Sequence, residues 1–259
     1  MKFKRIIVKL GTSTLTAGTP NISMPNLIEL TRQIVHLHAE GRQLILVTSG
    51  AMAAGKEVLN FPELPKFIPA KQMLAAIGQP RLMTIYTQIF QMYGLVCAQI
   101  LLTRDDLSDR RRYLNARNTL EALLTQGVIP IINENDSVAT EEIRFGDNDN
   151  LSALVANLIE ADLLILLTDQ PGLFTQDPRK DSNAKLVRKV SSPDIPEELW
   201  AAAGETHSGL GTGGMITKLH AADLARRSGT AVVIARGNDP EILLQIANNK
   251  PVGTFFTPV

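Results

Sequence analysis

Six short apolar runs recur along this 259-residue chain between longer amphipathic stretches, and they constrain its fold more than any other feature. They are RIIVKLG from residue 5, QLILVTSG from 43, LVCAQILLT from 95, VIPIINEN from 128, DLLILLTD from 162 and AVVIARG from 231. Runs this short, without regular polar alternation, predict strands covered on both faces. Between the first two, Leu27, Leu30, Ile34 and Leu37 repeat at helical spacing. Ser23 stands where an N-cap oxygen is needed, and Gly41 where such a helix stops. Further helices are predicted over 69–92, 111–126, 150–160, 214–228 and 239–248. The alternation of strand and helix predicts an α/β fold with a mainly parallel sheet and helices on both sides. VATEEIRFG, from residue 138, departs from it and reads as an exposed strand or hairpin; 170–192 and the glycine-bearing 204–214 read as loops.

At 44% hydrophobic and 20% charged residues the chain can build a large core, and a single domain over 1–259 is expected, with no repeat, linker or low-complexity tract. Twenty-six Lys plus Arg balance 26 Asp plus Glu, so no long-range field draws nucleic acid or an anionic membrane. Aromatic residues make up only 5%, too few for a base-stacking platform. No apolar run approaches the roughly 20 residues of a membrane span, and Lys9 interrupts the N-terminal run too early for a secretory signal. Cys97 is the only cysteine, which excludes a disulfide framework and points to a reducing, cytoplasmic compartment. The four histidines, at 36, 38, 207 and 220, lack metal-ligand spacing, so no protein metal site is expected.

Chemistry concentrates where the strands end. Gly11-Thr12-Ser13, Thr48-Ser49-Gly50, Asn133-Glu134-Asn135-Asp136 and Thr168-Asp169 each close a strong run. In open parallel sheets ligands lie beyond the carboxyl ends of the strands, so four such clusters describe one rim. SGLGTGGMITK, 208–218, places four glycines before a helix, where backbone N–H groups can approach phosphate oxygens. It matches G-x-G-x-x-G at Gly209, Gly211 and Gly214, but GETHS precedes it in place of a strand, and the Walker pattern is absent, so neither fingerprint applies. Lys9 interrupts a strand that should be buried, and a buried ammonium needs an anionic partner. RFGDNDNLSAL, 144–154, supplies more carboxylates and amides than a helix cap uses. Two lysines, a glycine cradle and these carboxylates suit phosphoryl transfer, which needs positive charge and positioning more than covalent help. One of Asp147 and Asp149 would then orient the two lysines.

VKLGTS, VTSGA, LLTRDDL, YLNARNTL, INENDSVA, FGDNDNLSALVA, LLTDQPGLFTQDPR and SGLGTGGMITK together resemble the glutamate 5-kinases of the amino acid kinase superfamily, in register from Lys4 to about Phe255. GDNDNLSA and SGLGTGGM.TK are the most specific segments. The resemblance implies a three-layer α/β/α sandwich with a mainly parallel central sheet. It also implies ATP-dependent phosphorylation of the γ-carboxylate of L-glutamate, the first step of proline biosynthesis. Lys9 and Lys218 would stabilise the transferring phosphoryl group and Asp149 would orient both. Ser49, Asp136 and Asn148 would hold glutamate, with Asp136 suited to the α-ammonium. Asn150, with Asp147, would serve the helix start. The nucleotide would meet Lys9, Gly11, Thr168, Asp169, Thr212, Gly213, Gly214, Met215, Ile216, Thr217 and Lys218, with Mg²⁺ held mainly by its phosphates and water. Many relatives continue past VGT.F into a second small domain, called PUA; this chain is expected to be a form without it. Feedback inhibition by proline near the glutamate site, involving 61–72 and the rim at Glu134, and a homo-dimer or tetramer are further expectations.

The nearest rival is another kinase of the same superfamily, acting on N-acetylglutamate, aspartate, carbamate or a nucleoside monophosphate. Asp136 discriminates, because a free α-ammonium calls for an anion and an acetylated amine does not. A sensor that binds ATP and an amino acid without turnover is the rival from another class, and two retained lysines argue against it.

Overall fold

The computed structural model describes residues 3–65, 67–139, 148–204 and 214–259. Eight strands among them form one sheet: β1 (Arg5–Leu10), β2 (Gln43–Thr48), β3 (Cys97–Leu102), β4 (Ile129–Glu134), β5 (Leu163–Thr168), β6 (Lys189–Val190), β7 (Ala231–Arg236) and β8 (Thr254–Phe256). Their order is β3-β4-β2-β1-β5-β7-β8-β6. Every pairing is parallel except β7 with β8. Lys9 therefore lies on a central strand, opposite Val47 on β2 and Leu166 on β5.

The ten helices among the described residues are α1 (Thr12–Thr16), α2 (Met24–Ala39), α3 (Ala51–Val58), α4 (Ile68–Met92), α5 (Arg104–Ser108), α6 (Arg110–Thr125), α7 (Asn148–Leu158), α8 (Glu197–Ala203), α9 (Met215–Arg226) and α10 (Ile242–Ala247). Side chains alternate across a strand, and β1 shows the result. Ile6, Val8 and Leu10 enter one core with Leu30 and Ile34 of α2, Ile85 of α4 and Leu243 of α10. Ile7 enters the other with Leu120 of α6, Val155 of α7 and Leu219 of α9. Two helical layers thus sandwich the sheet, as expected. By the same alternation Lys9 faces the α7 and α9 side, which decides the company it keeps.

Ser23 caps α2 through its side chain, as its position predicts, accepting from the Asn26 N–H. The helices predicted at 69–92, 111–126, 150–160 and 214–228 lie within two residues of the observed spans; α10 is shorter than its prediction. The run at 95 is the exception to full burial. Among the described residues β3 ends the sheet, with no strand beyond it, and most of its residues are half-buried. Cys97 shares that environment, and burial pushes its thiol up.

The region 170–192 is not wholly loop, because it contains β6 and a bridge between Phe174 and Leu186. The segment 61–72, expected to take part in feedback inhibition, is helical from Ile68 onward. Strands of two or three residues are too short to show a period. Of VATEEIRFG, residues 140–146 lie outside the described residues. Among the described residues, no helix is long and apolar enough to cross a membrane.

Helices α3 and α4 approach unusually closely. A Cβ on Gly78 would stand 1.8 Å from the Ala51 carbonyl oxygen, and one on Gly55 2.0 Å from that of Leu74. Only hydrogen fits at either position.

Candidate active site

Three elements bring three charges together on the α7 and α9 side of the sheet. Lys9 Nζ on β1 lies 2.5 Å from Asp149 Oδ1 at the start of α7. Lys218 Nζ in the first turn of α9 lies 3.2 Å from Asp149 Oδ2. The Thr217 hydroxyl also reaches Asp149 Oδ2, at 2.8 Å, and the Gly214 carbonyl at the same distance. Lys9 and Lys218 are 4% and 5% exposed and Asp149 is fully buried. Burial alone would raise the Asp149 carboxyl, but Lys218 and Lys9 outweigh it and hold the group far below the usual carboxylate range. These contacts hold the two ammonium groups on either side of one carboxylate.

On the β2 side of this cluster lies a polar network. Asn148 Nδ2 has three acceptors in reach: the Thr48 carbonyl at 2.9 Å, Ser49 Oγ at 3.1 Å and Asn133 Oδ1 at 2.9 Å. Asn133 donates to Gln79 Oε1 at 2.8 Å, and Gln79 to Gln99 Oε1 at 3.2 Å. The Asn148 Oδ1 is buried and meets no donor among the described residues. A buried acceptor left unpaired is costly, so this oxygen suits a ligand that brings an N–H. Asp136, just past β4, has its carboxyl raised by burial to about 6, and no ion pair is formed by it among the described residues. A cavity of about 280 Å³ opens beside it, lined by Gln79, Pro80, Gln99, Leu101, Glu134 and Asp136 among others. An amine entering here would restore the carboxylate.

On the β5 side, Thr168 ends its strand buried, its hydroxyl 3.0 Å from Asp169 Oδ1, while Asp169 is exposed. The Gly237 N–H after β7 holds the Thr168 carbonyl at 2.8 Å. Gly11 caps α1 without a side chain, and a Cβ there would stand 3.5 Å from Lys9 Nζ. Gly214 is the N-cap of α9 and Met215, Ile216 and Thr217 form its first turn. Thr212 and Gly213 lie outside the described residues, as do 208–211 of the glycine cradle and Asp147. Asn150 occupies the third helical position of α7 and is exposed.

Of the sequence-derived candidates, the structure joins Lys9, Asp149, Lys218 and Thr217 in one contact and joins Asn148 with Ser49 in another. Sequence reasoning set Thr48 and Asn133 on the rim without a role and missed Gln79 and Tyr86; all four buttress the second group. A signal exists for the two that were missed: Gln79 and Tyr86 stand seven residues apart, hence on one face of α4, the face that buries Ala75, Leu82, Ile89 and Phe90.

A buried ammonium–carboxylate–ammonium cluster at the carboxyl edge of a parallel α/β sheet is an arrangement suited to the class of phosphotransferases. The family model of the amino acid kinase family matches residues 4–236. A glutamate 5-kinase of Aliivibrio salmonicida is 56% identical over 254 residues, covering 98% of this chain and 68% of that protein. Those of Shewanella halifaxensis and Klebsiella pneumoniae are 55% and 54% identical, each again covered to 68% of its length. Among solved structures, the UMP kinase of Bacillus anthracis superposes with a TM-score of 0.66 over all of this chain and 97% of that one, at 16% identity, which shows the shared fold. The chain belongs to the amino acid kinase family and, within it, to the glutamate 5-kinases.

Proposed function

We propose that this protein transfers the γ-phosphoryl group of ATP to the γ-carboxylate of L-glutamate, giving L-glutamyl 5-phosphate and ADP, the first step of proline biosynthesis. The Lys9–Asp149–Lys218 cluster is the observation that carries the reading. In phosphoryl transfer, charge spreads over the three oxygens of the moving group, and fixed cations in a dry site stabilise it without reorganising. Asp149 keeps two ammonium groups side by side that would otherwise repel. As the phosphoryl group arrives between them, its oxygens become the counter-charge the carboxylate had supplied.

The acceptor occupies the β2 and β4 side in this reading. Asp136 takes the α-ammonium, Asn148 and Ser49 take polar atoms of glutamate, and the γ-carboxylate oxygen faces the lysines. An acetylated amine would leave Asp136 buried and unpaired, which favours glutamate over N-acetylglutamate. The nucleotide lies on the β5 and β7 side, against Gly11, Thr168, Asp169 and the 212–218 turn. Mg²⁺ would be held mainly through the phosphates of the nucleotide and by water. Bound there, such an ion would supply further positive charge to the phosphates beside Lys9 and Lys218.

Cytoplasmic location, homo-oligomerisation and feedback inhibition by proline belong to the same proposal. Inhibition that raised glutamate fails to relieve would refute overlap of proline with the acceptor pocket, and a monomer by light scattering would refute self-association. The decisive assay of the main reading measures ADP release from Mg-ATP with L-glutamate, N-acetyl-L-glutamate, L-aspartate or no acceptor, with hydroxylamine present to trap acyl phosphate. Hydroxamate with L-glutamate alone is expected. No turnover with any acceptor, despite ATP binding, refutes it.

A further inference from the structure

Tyr86 is fully buried in the middle of α4. Its hydroxyl lies 2.8 Å from Thr48 Oγ1, at the last residue of β2. Thr48 Oγ1 is also 3.0 Å from the Ser49 carbonyl oxygen. That oxygen can only accept, so the Thr48 proton goes to it and the Tyr86 hydroxyl donates to Thr48. A directed relay results: Tyr86 to Thr48 to the Ser49 carbonyl. Burial pushes the phenol up, so this donor keeps its proton at any working pH.

The relay ends on the peptide that the acceptor side of the site is built around. Ser49 is held at both backbone ends, its N–H by the Leu10 carbonyl at 2.9 Å and its C=O by Thr48. The next residue, Gly50, sits at φ +94 and begins α3. The peptide between them is trans, so fixing the carbonyl toward Thr48 turns the Gly50 N–H to the opposite side. Among the described residues that N–H has no acceptor. Ser49 Oγ and the Thr48 carbonyl, on either side of the same turn, are the atoms that receive Asn148. One hydroxyl on α4 thus sets the rotation of a unit presenting an amide, a serine oxygen and an asparagine to the acceptor.

We propose that Tyr86 is a positioning residue for acceptor binding, acting through Thr48 on the orientation of the Ser49–Gly50 peptide. The inference rests on the acceptor reading given above. The Tyr86 hydroxyl bonds Thr48 from the α2 and α4 side of the sheet, opposite the face that carries the Lys9–Asp149–Lys218 cluster, so its effect falls on the acceptor and not on the nucleotide. A merely structural hydroxyl, present only to satisfy its neighbour, would lower stability and leave the two substrates equally served.

The test compares wild type with Tyr86→Phe, which removes one oxygen and keeps the ring, and with Thr48→Val and Thr48→Ser. Expected for Tyr86→Phe is a rise of about five- to tenfold in KM for L-glutamate, with KM for ATP within about twofold. Thr48→Val is expected to match it, Thr48→Ser to stay near wild type, and the double variant Tyr86→Phe with Thr48→Val to be no worse than either alone. A second readout needs no turnover: the rise in Tm given by a fixed concentration of L-glutamate shrinks in Tyr86→Phe, whereas that given by the non-hydrolysable ATP analogue AMP-PNP does not. A lower Tm with both KM values unchanged, an equal rise in both, or a fully additive double variant overturns the proposal. Wild type that neither binds nor phosphorylates glutamate overturns the acceptor reading itself, and the wild-type arm shows this separately.

Discussion

Replacing Asp149 with Asn keeps the shape of the side chain and removes its charge. Lys9 and Lys218, almost without solvent contact, would then lose the carboxylate they share, whose oxygens lie 2.5 and 3.2 Å from their ammonium groups. Removing one partner of a buried ion pair costs about 3–5 kcal/mol. The two ammonium groups then repel, which disturbs the paired positive charge that the transferring phosphoryl group needs. On the rate, the loss of a preorganised contact corresponds to about 2.7–4 kcal/mol, a fall of roughly 10²–10³ in kcat. Lys9→Ala, which leaves the Asp149–Lys218 pair intact, is expected to lower kcat by roughly 10² or more while folding more readily. The two effects separate in a melt: ATP should raise the Tm of Asp149→Asn by more than it raises that of wild type, because its phosphates return the missing negative charge. Hydroxamate formation gives the rates and differential scanning calorimetry the shifts. Turnover near wild type in both variants would refute the reasoning about the cluster.

Three further outcomes are expected. Since the Asp136 carboxyl stands raised at about 6 in the free protein, it is protonated below that pH and loses its attraction for an ammonium. KM for L-glutamate should therefore climb as pH falls through 6, KM for ATP should not follow, and Asp136→Asn should erase the dependence; parallel profiles in the variant would count against the assignment. Asn148→Ala should weaken glutamate use with ATP affinity little changed, by initial-rate kinetics; an equal effect on both substrates would place Asn148 outside the acceptor site. Gly78→Ala drives a methyl into the Ala51 carbonyl and is expected to cost about 3 kcal/mol or more in urea unfolding; a variant as stable as wild type would mean that α3 and α4 separate easily.

The sheet was legible because its central strands are covered on both faces and so read as unbroken apolar runs. The same reading overestimated the burial of β3, since sequence does not say which strand stands at an edge. It also passed over α3, whose Ala and Gly residues show no apolar stripe until Gly55 and Gly78 meet a neighbouring backbone. Lys9 was conspicuous as a charge among apolar residues, where the demand for a partner is written into the composition of the neighbourhood, and Asp149 as one of more carboxylates and amides than a helix start uses. Tyr86 and Gln79 were not, because each is an ordinary member of a half-buried helix until Thr48 and Asn133 are brought alongside by distant parts of the chain.

The strand order has a consequence for the reaction itself. β2, β1 and β5 are consecutive, and they carry in turn Thr48 beside the proposed acceptor, Lys9 and Thr168 beside the proposed nucleotide. Neighbouring strands lie about 4.8 Å apart, so the step from β2 to β5 is roughly 10 Å, and the line joining them runs across the strands. An in-line transfer laid along that direction moves the phosphoryl group past β1 at its midpoint. The hydrogen-bond ladder that holds the sheet together would then also be the ruler that spaces donor from acceptor, a distance no loop rearrangement alters.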